Sequence, residues 1–171
     1  MKKLALPLLL SALLAACSST GPENAGARVE DRNGAGVATV NALNPSGSGI
    51  AALTDPNNIL SRRNVFFDYD SFVIRSEAKP LIEAHARFLV QNPQMKMLIQ
   101  GNTDERGSRE YNLALGQKRA DAIKQMLTLL GAQDAQVESV SLGEEKPRCT
   151  DSSEACYAQN RRGDMLYSGE F

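Results

Sequence analysis

A transition from strand to loop to helix occupies residues 95–131. Apolar residues alternate through Met95-Lys96-Met97-Leu98-Ile99-Gln100, which is typical of a β-strand. The polar segment Gly101-Asn102-Thr103-Asp104-Glu105-Arg106-Gly107 follows and is predicted to be a loop. Ser108 is a suitable N-cap for a long helix to Leu130, and Gly131 is a suitable stop signal. The loop therefore places several charged side chains where a strand ends and a helix begins.

The segments on either side of this transition complete an alternating pattern. Strands are predicted at residues 65–67, 137–142 and 164–167, and helices at 76–90 and 154–161. The order βαβαβαβ predicts an α+β fold, a two-layer sandwich whose helices pack on one mixed four-stranded sheet. The long helix is expected to bury one stripe of residues, namely Leu115, Ala122, Ile123, Met126 and Leu130.

Charge and aromatic residues are distributed unevenly along the chain. The 171 residues include 19 Lys+Arg and 20 Asp+Glu, so the net charge is -1. This balance gives no broad basic surface for nucleic acid, and no nucleic-acid partner is expected. All Phe and Tyr residues lie at Phe66 or later, and Trp is absent. A single folded domain is therefore predicted at residues 60–171.

The N-terminus carries the features of an export signal. Lys2 and Lys3 precede an apolar segment that is too short to span a bilayer. The sequence Leu14-Ala15-Ala16-Cys17 resembles a bacterial lipobox, in which the cysteine is acylated and becomes the mature N-terminus. Residues 1–16 are thus predicted to be a lipoprotein signal peptide with Cys17 as the lipid site; the alternative is an ordinary signal peptide with a chance cysteine. Ser18 is consistent with sorting to the outer membrane.

Residues 17–59 separate this cysteine from the predicted domain. They are rich in Gly, Asn, Ser and Ala, and they lack aromatic side chains. Such a segment buries too little apolar surface to offset its ordering entropy. It is predicted to be a disordered, flexible tether with a relaxed span of about 35 Å. The alternative is a small folded piece rich in Ala and Gly.

Three polar residues of the strand-to-helix transition suggest a ligand site. Asn112 and Arg119 are seven positions apart and share one face of the predicted helix, and Asp104 lies in the loop that leads to it. A carboxylate and a guanidinium with an amide between them suit a zwitterion, because each charge finds its opposite. A capped turn with surface salt bridges is the alternative.

Five segments together resemble the OmpA-like peptidoglycan-binding domain. They are Phe67-Asp68-Tyr69-Asp70-Ser71, Gly101-Asn102-Thr103-Asp104-Glu105-Arg106-Gly107, Tyr111-Asn112-Leu113-Ala114-Leu115-Gly116, Gly143-Glu144-Glu145-Lys146-Pro147 and Asn160-Arg161-Arg162. The resemblance covers residues 60–171 and implies non-covalent binding of peptidoglycan through the meso-diaminopimelate of its stem peptide. It implies that Asp104 holds the ligand ammonium and Arg119 a ligand carboxylate.

The same resemblance implies further site residues and partners. Thr103, Asn112 and the Asp70-Ser71 turn would line the pocket, and Arg161 or Arg162 would close it. The lipoproteins of this family are anchored in the outer membrane with the domain facing the periplasm. They bind TolB and work with other Tol-system proteins in envelope integrity and cell division.

Other candidate centres give weaker signals. Asp68 and Asp70 resemble a metal or phosphatase pair, but no further metal ligand accompanies them, so turn chemistry and a place in the wall of the ligand pocket are preferred. His85, the only histidine, is expected to be structural.

Cys149 and Cys156 are predicted to form a disulfide, since the chain is exported and no metal ligand joins them. We expect no metal, no cofactor other than the covalent lipid and no catalytic residue; an enzyme acting on cell-wall peptides is the competing hypothesis.

Overall fold

Four strands form one mixed sheet in the order β1-β4-β2-β3. The structure is a computed structural model, and it describes residues 51–171. The strands are β1 (Asn64–Phe66), β2 (Met97–Asn102), β3 (Val137–Gly143) and β4 (Arg162–Tyr167). β4 runs antiparallel to β1 and β2, whereas β2 and β3 are parallel. The predicted α+β fold with a mixed four-stranded sheet is confirmed.

Four α-helices connect and flank the strands. They are α1 (Ala51–Thr54), α2 (Lys79–Gln91), α3 (Arg109–Leu129) and α4 (Glu154–Asn160), and short 3-10 turns lie at Ile59–Ser61, Ser76–Ala78 and Asp134–Gln136. α3 begins where the sequence predicts, because the Ser108 side chain accepts a hydrogen bond from the backbone N–H of Tyr111. None of the helices within residues 51–171 is long and apolar enough to cross a membrane.

The core lies where α2 and α3 pack against the sheet. Its fully buried side chains include Val65, Phe67, Ile82, Leu89, Ile99, Ile123, Leu127 and Met165. The predicted stripe on α3 is wrong in part. Leu130 is 41% exposed, and Ala122 and Met126 are only partly buried, whereas Ala120 and Leu127 are buried fully. The buried face of α3 also carries Gly116 and Arg119. The spacing of the apolar residues therefore does not by itself identify the buried face.

The folded unit extends further toward the N-terminus than predicted. The sequence places residues 51–59 in the tether, but Ala52 and Leu53 are buried in the core, and the Arg63 side chain donates to the Leu53 carbonyl at 2.8 Å. These contacts hold the turn against the core, although the composition around Ala52 and Leu53 is that of a linker. The predicted signal peptide, Cys17 and the remainder of the tether lie outside the described residues.

The sheet has two distinct ends. The carboxyl ends of β1, β2 and β3 lie beside the amino end of β4, as the pairing of Phe66 with Arg162 and of Asn102 with Gly143 shows. α1 lies at the opposite end, where Arg63 holds it next to the start of β1. The described chain therefore begins at one end of the sheet, and the loop that carries Asp104 lies at the other.

A backbone-to-backbone contact sets the position of α3 on the sheet. A Cβ atom on Gly101 would lie 1.8 Å from the carbonyl oxygen of Gly116, and one on Gly116 would lie 2.8 Å from the carbonyl oxygen of Gly101. Only two glycines permit this approach. The contact fixes the first half of α3 against the end of β2, next to the loop that carries Asp104.

The only histidine is a buried structural residue, as predicted. His85 is 0% exposed, and its Nε2 lies 2.9 Å from the Arg62 carbonyl, which only accepts. Nε2 therefore carries the proton, and Nδ1 accepts from the Tyr167 hydroxyl at 2.8 Å. Burial lowers the pKa of His85 to about 4, with the nearby Arg63 cation contributing in the same direction.

Gly101→Ala should destabilise the domain strongly. Its Cβ would meet backbone that cannot rotate away, so we expect a loss of about 3 kcal/mol or more in the free energy of unfolding, measured with denaturant. Gly163→Ala is the matched control, because its Cβ would clash with the terminal Cδ1 of Ile123, at 2.3 Å, but with no backbone atom. Equal losses in the two variants would contradict the role of the Gly101–Gly116 contact.

His85 should make stability depend on pH in a mildly acidic window. The unfolded chain takes up a proton near pH 6.5 and the folded chain only near pH 4, so the stabilisation is complete above pH 6.5. It falls as the pH drops from 6.5 to 4, by about 3 kcal/mol in total. Unfolding curves at closely spaced pH values check this, and His85→Gln should flatten the slope between pH 6.5 and 5. If the slope in His85→Gln equals that of the unmodified protein, another group causes the pH dependence.

Candidate functional site

A cavity of about 320 Å³ opens at the Asp104 end of the sheet. It is lined by the loops after β1 and β2, by the first half of α3 and by the residue before β4. The lining residues are Tyr69, Asp70, Thr103, Asp104, Arg106, Gly107, Tyr111, Asn112, Leu115, Arg119 and Arg161. The structure thus brings together six of the eight residues predicted to bind a ligand.

Asp104 is the central anion of the cavity. It is 3% exposed, and its carboxylate accepts four hydrogen bonds. Oδ1 accepts from the backbone N and from Nε of Arg106, at 3.2 and 3.3 Å; Oδ2 accepts from Arg106 Nη2 at 2.7 Å and from Arg161 Nη1 at 3.1 Å. Burial by itself would raise the pKa of Asp104, but the bonds from Arg106 and Arg161 outweigh it and lower the pKa below its ordinary value. Asp104 is therefore ionised at neutral pH.

Arg119 is a buried cation that joins three segments of the chain. It is 0% exposed, and its guanidinium donates to the backbone carbonyls of Ser71 at 2.8 Å, Asn102 at 2.8 Å and Asp68 at 3.1 Å. Burial lowers the pKa of Arg119 to about 10, so it remains charged at neutral pH. Arg119 and Asp104 line one cavity, as expected, but within residues 51–171 they form no direct ion pair.

Arg106 is a site residue that the sequence did not single out. Its Cζ lies 4.1 Å from the ring centroid of Tyr69 and 4.3 Å from that of Tyr157. The guanidinium thus lies between two aromatic faces while its edge bonds Asp104. The residue lies inside the predicted loop, but its aromatic partners come from distant segments, so no local pattern could identify it.

The remaining polar groups of the cavity are fixed by side-chain contacts. Tyr111 donates its hydroxyl to Asp70, a residue held at a φ of 51° in the turn after β1. Asn112 donates to Glu144. Thr103 is 3% exposed, and its hydroxyl has no hydrogen-bond partner within residues 51–171. An unpaired hydroxyl beside a cavity is a group that a ligand can satisfy.

Two predicted residues do not line the cavity. Ser71 contributes only its backbone carbonyl to Arg119, and its hydroxyl accepts from the Val73 N–H. Arg162 is the first residue of β4 and pairs with Asp164, so it points away from the cavity. Of the two alternatives in the Asn-Arg-Arg segment, Arg161 is the one that closes the cavity, because strand alternation turns the next side chain to the other side.

A disulfide anchors α4, the helix whose Tyr157 stacks on Arg106. Cys149 and Cys156 are joined, as predicted, with their Cα atoms 5.7 Å apart. Asn160 reinforces this loop, since it bonds the backbone of Arg148 and Cys149. α4 in turn presents Glu154, whose carboxylate accepts from Arg161 Nη2 at 2.6 Å. The loop thus orients Arg161 toward Asp104.

The arrangement is suited to binding charged groups. No group of three or more His, Cys, Asp or Glu residues that could hold a metal ion occurs within residues 51–171. Asp68, the first member of the suspected metal pair, faces Arg75 at 3.4 Å instead. The cavity combines two carboxylates, Asp70 and Asp104, with three guanidinium groups. Such a surface favours a ligand that carries both an ammonium and a carboxylate.

Comparisons with known proteins agree with this arrangement. The model of the OmpA family matches residues 66–161. The peptidoglycan-associated lipoprotein of Pseudomonas putida is 41% identical over 165 residues, which cover 95% of this chain and 95% of that protein. That of Pasteurella multocida is 48% identical over 103 residues, 60% of this chain and 69% of the relative.

Solved structures give the same result. The crystal structure of the peptidoglycan-associated lipoprotein from Burkholderia pseudomallei matches with a TM-score of 0.68 and 54% identity, over 68% of this chain and 99% of that one. The C-terminal domain of Helicobacter pylori MotB shares the fold at 21% identity and a TM-score of 0.57, over 63% of this chain and 84% of that domain. The chain belongs to the OmpA family and, within it, to the peptidoglycan-associated lipoproteins.

Proposed function

We propose that this protein binds peptidoglycan non-covalently, through the zwitterionic centre of meso-diaminopimelate in the stem peptide. The observation that carries the proposal is the cavity in which ionised Asp104 lies among the guanidinium groups of Arg106, Arg119 and Arg161. Its 320 Å³ suits one amino-acid side chain with its charged groups.

The ligand contacts follow from the donors and acceptors of the cavity. Asp104 supplies the acceptor for the ammonium. Arg119 is fully buried in the cavity lining and donates to three backbone carbonyls, so it attracts a ligand carboxylate mainly through its positive charge. Asp70, Asn112 and the unpaired Thr103 hydroxyl complete the set of polar groups.

We also propose that the protein is held in the outer membrane. Residues 1–16 act as a lipoprotein signal peptide, Cys17 carries the lipid, and residues 17–50 act as a tether that lets the domain reach the cell wall. Acyl chains on one cysteine give stable anchoring only when more than one is present, which lipobox processing provides. TolB and other Tol-system proteins are the proposed partners on the periplasmic side, in envelope integrity and cell division.

An enzyme acting on cell-wall peptides is the competing function. Membership of the peptidoglycan-associated lipoproteins favours a binding protein. The cavity lining agrees, since its hydroxyls belong to Thr103, Tyr69 and Tyr111, and the only histidine is buried at a distance from it with both nitrogens bonded. Incubation with purified sacculi separates the two functions, because an enzyme releases soluble muropeptides and a binding protein does not.

Asp104→Asn should abolish binding to sacculi. The substitution keeps the shape of the side chain but removes the charge that the ammonium requires, so we expect the bound fraction in a pull-down to fall about tenfold or more. Asp134→Asn is the control, because this carboxylate is 82% exposed and lies before β3, at the other end of the sheet.

A cooperative thermal unfolding transition in each of the two variants would show that it is folded. Arg119→Ala is a poorer probe, since it also removes the three bonds that hold the loop after β1 and the end of β2. If Asp104→Asn binds sacculi as well as the unmodified protein, the cavity is not the peptidoglycan site.

Cys17→Ser should release the protein from the membrane. Without the thiol no acyl chain is attached, so fractionation should find the variant outside the outer-membrane pellet while the folded domain still binds sacculi. Co-sedimentation of the variant with outer membrane freed of peptidoglycan would contradict lipid anchoring at this cysteine.

A further inference from the structure

The acceptor positions of Asp104 are all in use. An ionised carboxylate has about four lone-pair positions, and the four hydrogen bonds to Asp104 fill them. Two of these bonds come from the Arg106 side chain, through Nε and Nη2. The other two come from the Arg106 backbone and from Arg161. A ligand ammonium gains full access to Asp104 only when a present donor leaves.

Arg106 is the donor that is able to leave. Its side chain is 33% exposed, whereas that of Arg161 is 6% exposed. Arg161 is also held by the Phe67 carbonyl and by Glu154. The guanidinium of Arg106 lies between the faces of Tyr69 and Tyr157, and neither ring holds it by a hydrogen bond, so only its bonds to Asp104 must break when it moves. A second anion lies close to Arg106 Nη2, since Glu154 Oε2 is 3.5 Å from it.

We propose that Arg106 is an internal competitor for Asp104 and that it determines which ligands the cavity accepts; this inference rests on the proposed peptidoglycan function. In the unliganded protein the Arg106 side chain occupies the two acceptor positions that the ligand ammonium takes. On binding, the ammonium replaces it on Asp104, and the released guanidinium pairs with the carboxylate next to that ammonium.

This exchange favours a zwitterion over a simple amine. A zwitterionic ligand replaces one ion pair with two, since its carboxylate receives the displaced Arg106. An amine without that carboxylate displaces Arg106 and leaves the guanidinium with only the exposed Glu154, so the net gain is small. Arg106 therefore discriminates against stem peptides whose third residue is lysine, in which the side-chain ammonium has no neighbouring carboxylate.

Two synthetic stem tripeptides test the inference: L-Ala-γ-D-Glu-meso-diaminopimelate and L-Ala-γ-D-Glu-L-Lys. They differ by one carboxylate beside the side-chain ammonium. Calorimetric titration of the full-length protein should show tighter binding of the diaminopimelate peptide. In Arg106→Ala the affinity for the lysine peptide should rise about tenfold or more, while that for the diaminopimelate peptide changes less, so that the ratio of the two affinities falls.

Two further variants sharpen the result. Arg109→Ala is the matched control, because this side chain is 74% exposed, pairs with Glu145 and does not line the cavity. It should leave both affinities unchanged. Arg106→Lys keeps a cation but cannot make the two-point contact with Asp104 or stack flat on the tyrosines, so its affinity ratio should lie between those of the unmodified protein and Arg106→Ala. If Arg106→Ala does not fold, as judged by thermal unfolding, Arg106→Lys carries the test alone.

The outcomes separate this inference from the proposed function. An unchanged affinity ratio in the Arg106 variants, with diaminopimelate still bound, overturns the competitor role and leaves the peptidoglycan site in place. Binding of neither peptide by any form of the protein overturns both. A lower affinity ratio in the Arg106 variants, with the diaminopimelate peptide bound by the unmodified protein, supports both.

Discussion

The guanidinium of Arg119 is the group around which this end of the domain is built. A charge taken wholly out of water is costly unless it is paired or hydrogen-bonded, and here backbone carbonyls from the loop after β1 and from the end of β2 accept from it. These bonds hold Asp68 and Ser71 close to Asn102, and the Gly101–Gly116 contact brings α3 near enough for Arg119 to reach them. The shape of the cavity therefore depends on a side chain that has almost no surface of its own.

The charged side chains of the cavity differ in how firmly the surrounding structure holds them. Arg119 is fixed by backbone, and Arg161 is fixed by α4 and the disulfide loop; Arg106 is held mainly by Asp104 and by stacking. The most exposed cation is thus also the one that depends most on the central carboxylate. Each charge of the site already has a hydrogen-bond partner without a ligand. Under the proposed competition, Arg106 is the partner that a ligand exchanges.

Much of the fold follows from local sequence. Ser108 caps α3 as its side-chain chemistry predicts, and the alternating segments are found as strands within two or three residues of their expected bounds. The site is only partly predictable. Asp104, Asn112 and Arg119 lie on one loop and one helix face, so spacing brings them together. Arg106 between Tyr69 and Tyr157 depends on tertiary contacts that no short pattern encodes. Composition does not predict the burial of Ala52 and Leu53, because the residues around them are those of a linker.

The placement of α1 and the cavity at opposite ends of the sheet has a mechanical consequence. Under the proposed anchoring, tension between the membrane and the cell wall reaches the sheet from the α1 end and leaves it at the Asp104 cavity, so the load runs along the strands. Hydrogen bonds between strands lie perpendicular to that direction. Such a load shears the bonds between β1 and β4 together instead of opening them one at a time from an end. Under that anchoring, the sheet is oriented so that its hydrogen bonds share the load.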